Sequence, residues 1–211
     1  MSENLWVKAP RDSLDFNEEA QKIFERFGKR KDGGAAAGAG GGFARNSLYN
    51  DMDAIWKHPS TGGVIYCGNQ TAAASLALLN SKTITHVVNC THGSAAIANY
   101  HKSSLQYYTF PIAAWEMYAG STDSSLQQFV DPLFKFIDTA LEKGESVLVH
   151  CLAGAHRAGT TSVACLIHYG GIMNVREAIA CAQELRSAIN PIGHLPDFLV
   201  RLLRMEASKR A

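Results

Sequence analysis

Ser146-Val147-Leu148-Val149-His150-Cys151-Leu152-Ala153-Gly154-Ala155-His156-Arg157-Ala158-Gly159-Thr160 is the stretch on which the fold turns. Its first five residues are a short, apolar, β-branched run, the pattern of a buried strand. From Arg157 to Tyr169 the apolar residues return at helical spacing. A tight loop with glycine at 154 joins the two. In such a strand-loop-helix unit the backbone N–H groups of the loop converge, and the helix N-terminus adds positive potential. Together they cradle an anion of phosphate size. Arg157, in the first helical turn, can offer a planar two-pronged donor to two phosphate oxygens. Cys151, at the base of the loop, lies in the same field, which favours the nucleophilic thiolate. A thiolate beneath a cradled phosphate is set up to attack phosphorus. The spacing Cys-x5-Arg alone arises often by chance. The strand before it, His150, Gly154, Gly159 and the helix after it make it specific.

Working outward, the same alternation of strand and helix recurs. Val64–Cys67, Ile84–Asn89 and Leu105–Phe110 read as strands, and Ala72–Leu79 as a helix. Ser125–Leu141 reads as a long helix, with Pro132 predicting a kink or a boundary. Asn174–Ser187 and Leu195–Ala207 are two further helices. The fold class is therefore α/β: three layers, with a central, mostly parallel sheet flanked by helices. In such sheets ligands bind beyond the carboxyl ends of the strands, which points to the loop after His150.

Residues 1–60 differ. Asp15–Gly28 reads as one helix with Phe16, Ala20, Ile23, Phe24 and Phe27 on one face, closed by Gly28 and the basic Lys29-Arg30-Lys31. It is either a strut packed on the domain or a docking element for a partner. Residues 33–42, GGAAAGAGGG, read as a linker.

The chain has 211 residues, a formal net charge of +1 and a hydrophobic fraction of 46%. That balance disfavours nucleic acid or an anionic membrane as the main partner. No apolar run is long enough to span a bilayer, and the first residues do not read as a secretory signal. Cys67, Cys90, Cys151, Cys165 and Cys181 are scattered singly and odd in number. A disulfide framework and a structural zinc site are both disfavoured, and a cytoplasmic (or nuclear) setting is expected.

His150 to Thr160 resembles the signature of the cysteine-dependent protein tyrosine phosphatases, and of their dual-specificity subgroup in particular. Ile65–Gln70, Ile84–Asn89 and Asn190-Pro191 resemble other stretches of that subgroup, so the likeness runs over roughly residues 60 to 207. The resemblance implies a catalytic domain over 61–211, preceded by a helix and linker over 1–60. It implies Cys151 as the nucleophile that forms a phosphocysteine, and Arg157 as the phosphate ligand that stabilises the transition state. Leu152, Ala153, Gly154, Ala155, His156 and Arg157 would form the phosphate loop, and His150 would support the thiolate from behind. No metal and no organic cofactor is implied. The substrate implied is a phosphorylated protein, at phosphotyrosine and also at phosphoserine or phosphothreonine.

Two positions depart from the family. Ala158 stands where a Ser or Thr hydroxyl usually helps the thiolate leave, and Thr160 or Thr161 would have to substitute. The general acid is displaced: alignment from the strand lands on Ala114, and from the following helix on Gly120. In the longer segment between, Asp123 is the favoured acid, in the polar stretch GSTDSS, and Glu116 the alternative. Trp115 and Tyr118 either wall the pocket or anchor the loop. His156 could face substrate. These departures leave a phosphate-binding pseudophosphatase open as a second reading. A third keeps the enzyme and changes the substrate to a phosphoinositide or glucan; the absence of lysine from the phosphate loop and of a separate carbohydrate-binding stretch disfavours it.

Overall fold

The computed structural model describes residues 14–27 and 49–210. The basic residues after Gly28 and the GGAAAGAGGG run lie outside them. Five strands form one sheet in the order β1-β2-β5-β3-β4: β1 (Met52–Lys57), β2 (Val64–Gly68), β3 (Ile84–Asn89), β4 (Gln106–Thr109) and β5 (Ser146–His150). All neighbours are parallel except β1, which runs antiparallel to β2 at the edge. Strand β5 is central and buried throughout.

The period of two along the strands sorts the side chains onto two faces. Val87 and Leu148 pack with Ala72, Ala73 and Leu79 of two short helices, α2 (Gln70–Ala74) and α3 (Leu76–Ser81). Ile65, Val88, Val147 and Val149 pack the other way, against α5 (Asp123–Leu141), α6 (Arg157–His168), α7 (Val175–Leu185) and α8 (Leu195–Arg210). The molecule is thus the three-layer α/β sandwich that the sequence predicts. The N-terminal helix, α1 (Phe16–Phe27), is also present, capped by Asp15 Oδ1 accepting from the Asn17 amide at 2.7 Å.

Four local features differ from the sequence reading. The expected helix at 72–79 is broken at Ser75, whose hydroxyl accepts from the Leu78 amide and starts α3 afresh. Helix α5 runs unbroken past Pro132, because the carbonyl that proline leaves without a donor is that of exposed Gln128. Strand β1 has no counterpart in the sequence reading. Only Ile55 of its six residues is buried, and a bulge between Ala54 and Trp56 interrupts its alternation. It belongs to the sheet, so a division at residue 60/61 cuts β1 from the strand it pairs with. Finally, the segment expected to be a long loop before α5 is ordered. Ile112–Ala114 form a 3-10 turn and Trp115–Ala119 form α4, with Ile112, Trp115 and Ala119 buried at helical spacing.

Candidate active site

The loop from Cys151 to His156 leaves the end of β5 and opens α6, and its shape is imposed from outside. The Leu152 carbonyl accepts from the Gln70 amide at 3.0 Å, and that of Ala155 from the Asn190 amide at 3.0 Å. The Ala153 carbonyl accepts from the Tyr49 hydroxyl and from Arg186 Nη2. The Gly154 carbonyl accepts from Arg186 Nε at 3.0 Å and from Cys67 Sγ. The His156 carbonyl accepts the amide and the hydroxyl of Thr160. Every carbonyl from 152 to 156 is therefore drawn outward, which turns the amides to the opposite side, where a phosphate would be held. Gly154 makes the reversal possible. Its φ is +63°, and a Cβ there would stand 2.6 Å from the Gly68 carbonyl carbon.

Cys151 and Arg157 stand at the two ends of this loop, both buried. One guanidinium nitrogen of Arg157, Nη2, donates to Asn17 Oδ1 at 2.7 Å, while Nε has no partner among the described residues. Cys67 and Cys90 are buried close by, and burial pushes both thiols up, Cys67 to about 11. All five cysteines are free.

His150 is fully buried next to the nucleophile, and neither ring nitrogen has a hydrogen-bond partner among the described residues. Burial lowers its pKa to about 4; the Cys151 backbone opposes that shift, and Arg157, the weakest of the three influences, adds to it. It is neutral at physiological pH and carries no positive charge toward the thiol. An unfolded histidine titrates near 6.5, so between pH 6.5 and 4 the unfolded chain takes up a proton that the folded chain refuses. Stability then falls as pH drops through that window, by up to about 3 kcal/mol from this residue. His86 and His156, also lowered by burial, act in the same direction. Urea midpoints measured at pH 7.5, 5.5 and 4.5 should fall accordingly, and less steeply in His150→Gln. Equal slopes in the two proteins would refute the assignment.

His156 is held between two segments: its Nδ1 lies 2.7 Å from the Asn190 carbonyl oxygen, and Glu19 of α1 is among the groups that act on its ring. Ala158 is fully buried. The two hydroxyls that could replace the missing one are already engaged: Thr160 donates to the His156 carbonyl and Thr161 to the Arg157 carbonyl. Asp123 is the exposed first residue of α5, behind a capping box formed by Thr122 and Ser125. It therefore sits on a fixed helical turn and not in the flexible stretch expected. Glu116 is exposed in the first turn of α4. Trp115 anchors that turn: it is buried and its indole N–H donates to the His194 carbonyl. Tyr118 stacks on Phe129 at 6.0 Å. Ala114, the position first aligned with the acid, ends the 3-10 turn, whose Ala113 carbonyl lies 2.9 Å from His194 Nε2. No group of three or more His, Cys, Asp or Glu side chains converges as a metal site among the described residues.

A family model described as "Dual specificity phosphatase, catalytic domain" matches residues 65–204. The chain belongs to the dual specificity phosphatases. It is 29% identical over 142 residues to dual specificity protein phosphatase 18 of Pongo abelii, a match covering 64% of this chain and 70% of that one. It is 31% identical over 150 residues to dual specificity protein phosphatase Mpk3 of Drosophila melanogaster, covering 70% of this chain and 33% of that one. In three dimensions it is similar to the human tyrosine phosphatase-like serine/threonine/tyrosine-interacting protein, with a TM-score of 0.56 and 24% identity over 76% of this chain and 98% of that one. This likeness carries the fold alone. Three residues of the phosphatase site escaped the sequence reading: Tyr49, Arg186 and Asn17. Arg186 stands four residues before Asn190-Pro191, a stretch already recognised, so its place at least was legible.

Proposed function

We propose that this dual specificity phosphatase hydrolyses phosphotyrosine, phosphoserine and phosphothreonine in proteins by way of a phosphocysteine on Cys151. The observation that carries the reading is the outward pull on every loop carbonyl from Leu152 to His156, with Cys151 and Arg157 at the two ends. Cys151 Sγ attacks phosphorus, and the bond to the ester oxygen breaks as the S–P bond forms. The loop amides and Arg157 hold the charge that builds on the equatorial oxygens. The departing oxygen takes a proton from Asp123 or Glu116. Water then cleaves the S–P bond, releasing phosphate and the thiolate. The free cysteines suit a reducing, cytoplasmic compartment.

The test is phosphate release from phosphotyrosine and phosphoserine peptides, beside an activated aryl phosphate. Removing the true acid, as Asp123→Asn or Glu116→Gln, should cost about 10² to 10⁴ on the phosphopeptide and far less on the aryl phosphate, whose leaving group needs no proton. Peptides left intact by an enzyme that cleaves the aryl ester would overturn the protein-substrate reading.

Ala158 predicts slow breakdown of the intermediate. Stopped-flow with the aryl phosphate should show a burst of alcohol release, about one equivalent per site, before steady turnover. Ala158→Ser should shrink the burst and raise kcat. A wild type without a burst would place the slow step before phosphocysteine formation.

A further inference from the structure

The phosphate loop of this molecule is occupied by its own chain. Helix α1 lies across it. Asn17 Oδ1 accepts from Arg157 Nη2 at 2.7 Å, where a phosphate oxygen would accept, and the Phe16 ring lies 5.7 Å from the same guanidinium carbon. Phe16 also meets His194 edge-on at 5.9 Å, the residue tied to Ala113 in the turn before α4. Behind this pair, Ala20 and Ile23 are buried in one apolar cluster with Ala153, Ala155 and Ala188, with Phe24 and Leu152 packed on it. Leu14, just before the helix, lies against Gly193. With α1 in place the site is covered: Cys151 is 2% exposed and Arg157 4%. A groove of about 560 Å³ opens between α1 and α2, but its lining, which includes Gln21, Phe24, Thr71 and Leu152, contains neither Cys151 nor Arg157.

The contacts follow from the sequence of α1. Its apolar stripe is matched to small loop residues, and the residue beside the stripe at position 17 is an uncharged acceptor. An amide oxygen satisfies one N–H of Arg157 without the charge of a phosphate, and it leaves Nε unpaired. Such an occupant fits the site yet holds it less well than a phosphate ester, which can accept from both prongs of the guanidinium and from the loop amides.

Resting on the phosphatase reading above, we infer that the loop is a docking site for α1, which acts as an internal pseudosubstrate with Phe16 and Asn17 standing in for the substrate side chain and its phosphate. Substrate binds only the form from which α1 has left, so apparent affinity falls by the fraction of molecules in that form.

The experiment uses the full chain. Ile23→Asp removes an anchor of α1 that packs with Ala153 and Ala155 while changing no residue of the loop itself, and Asn17→Ala removes the hydrogen bond while keeping the anchors. Two rates are measured: alkylation of Cys151 by iodoacetamide, mapped by mass to its own peptide, and kcat/KM for an aryl phosphate. Ile23→Asp should raise both about tenfold, the factor for a docked form that outnumbers the open one ten to one. Asn17→Ala should raise both by a smaller factor. In the wild type, tungstate should increase hydrogen exchange of the α1 amides. If Ile23→Asp melts early, Asn17→Ala and the exchange measurement decide. Unchanged alkylation, or α1 amides still protected with tungstate bound, would overturn the inference. So would a faster alkylation joined to a lower kcat/KM, since α1 would then complete the site. If no variant turns over yet alkylation and exchange respond as expected, the phosphatase reading fails and the docking stands.

Discussion

Cys151→Ser is expected to abolish turnover of a phosphotyrosine peptide, by at least about 10³-fold, and to leave tungstate binding within a few-fold of wild type. The loss follows from the nucleophile's place. Cys151 directly follows the buried central strand and begins the loop, so its sulfur lies under any phosphate the loop holds. A serine hydroxyl occupies the same spot but is far less nucleophilic at neutral pH. The adjacent His150 is fully buried, and neither of its ring nitrogens has a hydrogen-bond partner among the described residues. Removing one member of a catalytic unit of this kind typically costs nearly the whole chemical advantage. Binding should survive because the cradle is built by other groups: the loop amides, Arg157, and the carbonyl ties to Gln70, Tyr49, Arg186 and Asn190. Isothermal titration with tungstate and a phosphate-release assay separate the two effects. Residual turnover above about 1% in Cys151→Ser would overturn the phosphocysteine route, and lost tungstate binding would mean the sulfur itself shapes the loop.

The parts of this molecule that were legible in its sequence are those whose physics is local. Strand β5 announces itself by a short apolar run with β-branched Val147 and Val149, and β3 is legible residue for residue in Ile84–Asn89, where Ile84, Thr85, Val87 and Val88 are β-branched. The loop was legible because Cys151, Gly154 and Arg157 are each demanded by what the loop must do. What was lost depends on tertiary context. Strand β1 buries one side chain and is held by pairing, so its composition is that of a loop. Helix α4 and the turn before it carry a signal, Ile112, Trp115 and Ala119 at helical spacing, but it is too short, beside the polar GSTDSS, to stand out from a loop. The break at Ser75 is one hydroxyl competing with the helix backbone. The helix of residues 16–27 was recognised, yet nothing in its sequence says that its apolar stripe faces Ala153 and Ala155. A docking partner within the same chain appears only once both surfaces are in view.

Arg186→Ala is the substitution with the largest expected effect away from the reacting atoms. Arg186 is 3% exposed, and its guanidinium ties the end of α7 to the edge strand and to the phosphate loop. Nη1 donates to Asp53 Oδ2 at 2.6 Å and to the Asn50 carbonyl at 2.9 Å, tying the start of the edge strand. Nε and Nη2 donate to the Gly154 and Ala153 carbonyls of the phosphate loop. Its carbon lies 4.9 Å from the centre of the Tyr49 ring, whose hydroxyl also donates to Ala153. Burial pushes the Tyr49 phenol up to about 12, so it remains a donor throughout the useful pH range. Truncating Arg186 leaves Asp53 with a lost counter-charge and two loop carbonyls short of charged donors, a change that typically costs about 3 to 5 kcal/mol. For a domain of this size that is a melting temperature lower by roughly 6 to 20 °C. The kinetic effect is separate. Without the pull on residues 153 and 154 the loop amides need no longer converge, and a misplacement of about 1 Å in such a site can cost about 10²-fold. Arg186→Lys distinguishes the two, because it keeps the charge beside Asp53 but cannot present two parallel donors to adjacent carbonyls. It should recover most of the melting temperature and little of the kcat/KM. A lysine variant with wild-type turnover would show that Arg186 serves stability alone, and that the loop keeps its shape through Gly154, Tyr49 and the backbone ties to Gln70 and Asn190.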